Sequence, residues 1–540
     1  MNINKPDRRK MVTAVIVAIL FTAMQITGYQ ISMYYGTTVH RSPFFQKLGV
    51  LSSEQCLLAA CIAFPFWSIV LYGLYSMLDR VKARDRCISS KKSLWIWFGS
   101  AVVLFISWIP CFLACYPGFY TYDAMVQTPQ ALYAEVPYSA HHPLLHTFLM
   151  GKIIAFGYHR GVDLNDGIAF HSICQMLFCA GALGYIVSYI LRISKKYWLA
   201  VAALCYYAVF PVIAMFAMCT TKDVIFSVLL QLAIIFMYEM CRDMQQFYAD
   251  KWRLCCFIIT TVLMCLFRKN GIYIVVGIVP FVILFFKKYA KRCLCLFGGI
   301  IVIYLLISKS LFWILEAEEG SIEEAFSVPI QQIARVYNEY GENAFTEEEI
   351  ALIYDGISPA ALMNYNPLIS DDIKNIFDFD VVLEQEGDYL KLWIRKGLQY
   401  PTEYIRAFLD NTYQAWYPGT SVDESPGDGQ TYYFAMHMCA GGYRDSRWPE
   451  LLKFYDKIAA GYDYYQKIPV VRLLFSIGAM FWVMLFSFGY GMYKKDKALI
   501  VAILMAMLCC GTVLLGPVSL VRYYLVLFYG FPVCVAFMTR

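Results

Sequence analysis

Apolar and polar positions along this chain alternate in blocks. Apolar runs of about 20 residues, the length an α-helix needs to cross a bilayer, recur with short charged punctuation between them. They predict spans at 11–35, 56–78, 93–116, 168–191, 197–218, 224–241, 254–270, 271–286, 293–313, 471–492, 497–514 and 517–538. The expected fold is an α-helical polytopic membrane protein of about 12 transmembrane helices.

Two polar stretches interrupt the blocks. The first, Tyr116 to His146, contains no Lys or Arg and brings Asp123, Gln127, His141 and His142 among many tyrosines. Helices can be joined by short loops, so a long one rich in aromatic and titratable groups predicts a cleft at the membrane surface. An interfacial loop with a tyrosine belt is the plainer alternative. The second stretch, 314–470, opens on Glu316, Glu318, Glu319, Glu323 and Glu324 and carries acids in excess, with Trp393, Trp416 and Trp448 to build a core. It predicts a soluble domain outside the membrane. Within it, Pro329 to Arg335 reads as a helix whose adjacent amides, Gln331 and Gln332, suit sugar hydroxyls or simply line a solvated face. The stretch WYPGTSVDESPGDGQTYYF is dense in turn residues and predicts a loop.

Charge then orients the blocks. Basic clusters stand at Lys5/Arg8/Arg9/Lys10, Arg80/Lys82/Arg84/Arg86/Lys91/Lys92, Arg192/Lys195/Lys196, Lys287/Lys288/Lys291/Arg292 and Lys494/Lys495/Lys497. Placing them all inside puts both termini in the cytoplasm of a plasma-membrane protein. It also requires Pro143 to His159, apolar but carrying His146, Lys152 and His159, to lie along the outer surface, since a crossing there would invert every later loop. The resulting division is 1–92, two spans and a basic loop; 93–313, a membrane core whose first external loop is 116–167; 314–470, the acidic domain; and 471–540, the last spans.

Composition agrees and excludes other classes. With 59% hydrophobic and 16% charged residues and a mean hydropathy of +0.52, a soluble globule is ruled out. The first apolar run is long enough to remain as a span after targeting. The 19 cysteines fall mostly inside spans, and Cys439 alone occupies the external domain, so no disulfide framework is expected there. Cys255/Cys256 and Cys509/Cys510 lack metal-site spacing, no phosphate-binding G-x-x-x-x-G-K-[ST] loop is present, and nothing calls for a nucleic-acid partner.

Three further points fall on the predicted outer face. Ala217 to Asp223 ends in Thr220, Thr221, Lys222 and Asp223, which either cap a helix or add a second carboxylate on the face of Asp123. Phe267 to Gly271 leaves Arg268 and Lys269 outside, against the charge rule, with Asn270-Gly271 expected to reverse the chain. These cations either snorkel to headgroups or hold a lipid phosphate. Arg522, followed by Tyr523, enters the outer end of the last span and poses the same choice.

The order of these features resembles the GT-C superfamily of integral-membrane glycosyltransferases, which includes protein O-mannosyltransferases and lipid A aminoarabinose transferases, and looks closest to uncharacterised bacterial members. The matching elements are Asp123 with Gln127, the run from His141 to His146, Asp223, the domain 314–470, and Arg522-Tyr523. The resemblance implies an inverting transfer of a sugar from a polyprenyl-phosphate donor to an envelope glycan or protein acceptor at the outer face of the bilayer. Asp123 would be the general base with Asp223 as a second acid, Arg268, Lys269 or Arg522 would stabilise the leaving phosphate, and Lys222 would bind substrate. Gln127, His141, His142, Gln331, Gln332 and Tyr523 would position substrate. Many relatives pair acids in the first loop, whereas Asp123 is followed by Ala124. That departure weighs against a firmly bound metal, leaving a divalent ion as the one open cofactor, since neighbouring histidines do not make a site.

A transporter or flippase of lipid-linked glycan, or a non-catalytic envelope protein, is the rival class. Transport predicts charges within the bundle and internal repeats. Here the spans are nearly free of charge and no repeat is evident, which favours chemistry at one surface.

Overall fold

Apolar runs become helices where Asp, Ser or Thr supplies a side-chain acceptor for the first free backbone N–H groups. In the computed structural model, which describes residues 7–35, 49–81, 89–320, 326–374, 376–420, 438–460 and 468–540, Asp7 caps α1 (Arg8–Tyr34). Ser52 and Gln55 form a capping box at α2 (Ser53–Arg80), and Ser89 caps α3 (Ser90–Ala114). After α4 (Leu144–Tyr158) come α5 (Leu164–Ser194), α6 (Tyr197–Val209), α7 (Lys222–Arg242), α8 (Lys251–Phe267), α9 (Asn270–Phe285) and α10 (Ala290–Ile314). The chain continues through α11 (Ser327–Tyr340), α12 (Glu386–Gln399) and α13 (Pro401–Trp416) to α14 (Ile477–Lys494), α15 (Lys497–Leu514) and α16 (Leu525–Met538), with shorter helices between.

The protein is an α-helical polytopic membrane protein. Eight helices among the described residues are long and apolar enough to cross a bilayer: α1, α2, α3, α5, α7, α15, and α10 and α16 with the turns before them. Among the described residues no strand forms, only isolated bridges. α7 is buried around its circumference and packs against α8, α15 and α16, as expected of a helix apolar on all sides. α2 buries only Leu71 and Tyr75.

Ionic contacts separate the bundle's two ends. At one, Asp79 holds Lys10 at 2.6 Å and Lys494 at 2.5 Å, Glu239 holds Arg192 at 3.1 Å and Arg253 at 3.5 Å, and Asp496 meets Arg242 at 3.3 Å. The other end gathers the connections 115–163, 217–221 and 515–524. Lys5, Lys82, Arg84, Arg86, Glu323, Glu324 and residues 421–434 of the turn-rich stretch lie outside the described residues.

Three local expectations change. The run 197–218 is broken at Phe210, whose backbone is extended, because a proline follows; a second short helix starts at Pro211. The last helix begins at Leu525, after a 3-10 turn over Val521–Tyr524, and Pro517 before it accepts a bond from Ser370 N at 3.0 Å. Asn270-Gly271 does not make the reversal: both lie in α9, and Arg268 turns the chain in extended conformation. Gly271 serves close packing instead, since a Cβ there would stand 2.7 Å from Cys265 Cα. α4 meets the end of the bundle, with Gly157 against Gly167 and His146 near the Phe267 ring.

Helices between 326 and 400 share a core of Ile330, Ile333, Ile353, Ile357, Leu362, Ile373 and Leu392. The two amides expected to meet sugar are buried beside it, with the Gln331 side-chain oxygen left without a hydrogen-bond partner. Gln331 donates to Asn366 O at 2.7 Å, and Gln332 donates to Tyr404 O at 3.1 Å while accepting from Trp393 Nε1 at 2.7 Å. Helical spacing places adjacent residues on different faces, and here both faces are covered. α13 ties this unit to the bundle by packing on α1 and α14.

Candidate functional site

The site is assembled by a short backbone pairing. Phe119 N donates to Met218 O at 3.1 Å and Thr220 N to Phe119 O at 3.0 Å, so the chain leaving α3 runs beside the chain entering α7. Gly118 permits this approach: its φ is +119°, and any Cβ would collide with Ser172 Oγ. Four residues after Phe119 and three after Cys219, the side chains of Asp123 and Lys222 meet at 2.5 Å.

Asp223 follows in the first turn of α7, fully buried, accepting from Thr221 Oγ1 at 2.8 Å. Its other oxygen is paired with Arg268, which the reversal between α8 and α9 delivers. Arg522, on the 3-10 turn before α16, lies between the acids, 3.8 Å from Asp123 and 3.8 Å from Asp223. Arg522 also stacks over the Tyr122 ring at 4.2 Å and donates to the Tyr523 hydroxyl at 2.7 Å. Arg268 stacks over the Tyr523 ring at 4.7 Å. His142 Nδ1 completes the group, 3.4 Å from Lys222 Nζ and 3.9 Å from Asp123.

Charge and burial set the chemistry. Three cations face two carboxylates, leaving one net positive charge. Burial would push the Asp123 carboxyl up, but Lys222, Arg522 and His142 outweigh it and hold the group far below the usual carboxylate range. Burial, then Lys222, lowers the His142 pKa to about 4, so its imidazole is neutral at physiological pH. Arg522 Nε and Nη1 are buried without a hydrogen-bond partner. Each such donor costs on the order of 1–3 kcal/mol, which an anionic ligand would offset.

The other candidates are placed differently. Lys269 and His142 line a small cavity of ≈ 90 Å³ beside α4, α8 and α10. The rings of His141 and His142 are 4.7 Å apart. Gln127 is buried and fixes the loop to α4, donating to Thr147 Oγ1 at 2.8 Å. Gln331 and Gln332 belong to the core described above. Sequence reasoning missed Tyr122, whose φ of +59° is rare for a non-glycine residue and stands one position before Asp123. Strain of about 1–3 kcal/mol is the cost of such a conformation. The tyrosine-rich run was the only hint of it.

With this geometry in hand, comparison with known proteins is informative in one respect. A family model described as "Family of unknown function (DUF6020)" matches residues 133–540. The chain belongs to this family. The DUF6020 match takes in His142, Lys222, Asp223, Arg268 and Arg522, and begins after Asp123. No curated protein and no solved structure matches the chain.

A divalent ion does not fit these donors. Among the described residues no group of three or more His, Cys, Asp or Glu side chains is placed to hold one. Lys222 Nζ stands between Asp123 and His142, and Asp223 is taken by Arg268.

Proposed function

We propose that this protein transfers a sugar from a polyprenyl-phosphate donor to an envelope glycan or protein acceptor at the outer face of the plasma membrane. The observation that carries the reading is Arg522: buried, with two unfilled N–H donors, beside a carboxylate and in an excess of positive charge. A phosphate suits that environment, and a carboxylate next to it suits the proton that an attacking hydroxyl must lose.

The step is a direct displacement. The acceptor oxygen bonds to the anomeric carbon as the carbon–phosphate-oxygen bond breaks, its proton passes to Asp123, and the configuration inverts. The lipid phosphate leaves as an anion stabilised by Arg522 and Lys222. Asp123 is a weak base while Lys222 holds it, so the arriving phosphate must draw Lys222 away for the carboxylate to act. Asp223 anchors Arg268 and, through it, the ring of Tyr523.

This reading includes twelve passes, with α6, α8, α9 and α14 added to the eight long helices, both termini in the cytoplasm and residues 314–470 outside. The positive-inside rule supports it, because Lys10, Arg192, Arg253 and Lys494 pair at the end opposite Asp123.

The test is transfer of radiolabelled sugar from a panel of polyprenyl-phosphate sugars in membranes, comparing wild type with Asp123→Asn at equal protein level. Labelled product from wild type that is lost in the variant is the expected outcome. Equal labelling would remove Asp123 as the base and turn attention to Asp223. Redistribution of intact donor between leaflets without product would establish the flippase class instead.

A further inference from the structure

A second concavity, sharing no residue with the Asp123 cluster, opens where α1 and α2 meet the segment 417–419 and the start of α14. It measures ≈ 560 Å³, within the range of about 300–1,000 Å³ usual for small-molecule sites. Its wall is graded along the helix axes. Leu51, just before the cap of α2, and Arg472, four residues before the cap of α14, lie at the helix ends. Ala63, Trp67 and Trp482 lie deeper, and from Ala59 to Trp67 the α2 wall descends about 12 Å at 1.5 Å per residue.

The polar groups along the apolar part are already engaged. Trp67 Nε1 donates to Gln25 Oε1 at 2.8 Å, Tyr29 OH to Gly49 O at 3.1 Å, and Trp482 Nε1 to Trp416 O at 2.9 Å. What they present to the groove is hydrocarbon. Among the described residues that line it, Arg472 is the one formally charged side chain. The groove borders α2, which leaves most of its surface to the bilayer, so a lipid chain can enter from the side.

We propose that this groove binds a lipid with an anionic phosphate headgroup, its chain between α1, α2 and α14 and its phosphate on the Arg472 guanidinium. A guanidinium at the interface above a dry apolar channel matches such a lipid in both halves. Bilayer phospholipid and polyprenyl phosphate share this chemistry. The assignment does not depend on the transfer reading, because it concerns different residues and a binding event alone.

The test uses the full chain in phosphatidylcholine nanodiscs carrying a small fraction of phosphatidylglycerol with a photoreactive group in its acyl chain. Adducts are located by peptide mass spectrometry. Labelling should concentrate on Ile26, Ile62 and Trp67 and fall about tenfold in Arg472→Gln and in Ala63→Phe, which fills the chain half. Unlabelled phosphatidylglycerol or polyprenyl phosphate should displace the probe, and the stronger competitor identifies the source. Equal labelling by diacylglycerol or phosphatidylcholine probes in wild type would overturn the proposal, as would full labelling of a folded Arg472→Gln. If that variant does not fold, Ala63→Phe and the wild-type headgroup comparison decide alone.

Discussion

Two buried arginines in this protein each stand between two carboxylates, and only one of them is satisfied. Arg335 donates to Glu403 at 2.8 Å and to Asp410 at 2.6 Å, and Asp410 also accepts from Tyr35 at 2.7 Å. Arg522 stands 3.8 Å from each of its acids, with two donors unfilled. Both are nearly inaccessible, at 5% and 9% exposure. The first pairing joins α11 and α13 to the end of α1 and is complete without a ligand. The second has capacity left over, and residual capacity in a buried ionic group is what a binding site requires.

The largest effect expected from this contrast falls on the reaction. Asp123→Asn should lower transfer per folded molecule about 10²–10⁴-fold, the usual contribution of a general base. On the satisfied side, Asp410→Asn should leave transfer per folded molecule intact. If both variants lose transfer equally, the distinction between the regions fails.

Stability should show the reverse pattern. Arg335→Gln strands Glu403 and Asp410 in a buried setting, and breaking such a pair costs about 3–5 kcal/mol. Thermal or denaturant unfolding in detergent should register that loss. Arg522→Lys keeps the charge but removes the guanidinium fork, so it should spare stability and lower kcat/KM for donor about 10–100-fold, in line with charged hydrogen bonds of about 1.5–3 kcal/mol. A variant that melts early yet binds donor normally would assign Arg522 to the fold.

How much of this could be read from the residues follows from the physics of each part. A bilayer demands long apolar runs, so 11–35 and 497–514 announce helices that the structure places at Arg8–Tyr34 and Lys497–Leu514. Asp223, Arg268 and Arg522 were visible as charges where lipid disfavours them, but their meeting was not, because 45 residues separate Asp223 from Arg268 and no local pattern reports it. Gln331 and Gln332 misled for a related reason: periodicity shows that a helix has faces without showing what covers them. At Asn270-Gly271 a familiar turn dipeptide was used for close packing against α8. The left-handed backbone of Tyr122 has no sequence signature at all.

The smallest expected effect concerns pH and separates the two regions once more. His142 has its pKa lowered to about 4, against about 6.5 in an unfolded chain. Between those values the unfolded state takes a proton that the folded state refuses, so the His142 contribution is full above about 6.5 and declines as pH falls toward 4 by at most about 1.4 kcal/mol per pH unit, and His146, lowered by its burial, adds to the same loss. Asp123, ionised in the folded state well below the usual carboxylate range, adds its own loss only once pH drops under about 4. Unfolding measured at pH 7 and pH 5 should therefore show a drop in wild type that is smaller in His142→Phe. The Arg335 hub contains no histidine, but burial pushes the Asp410 carboxyl up, and without Arg335 it takes up a proton more readily; Arg335→Gln should therefore start less stable at both pH values and lose less than wild type between them. An increment kept whole in His142→Phe would remove His142 from the account.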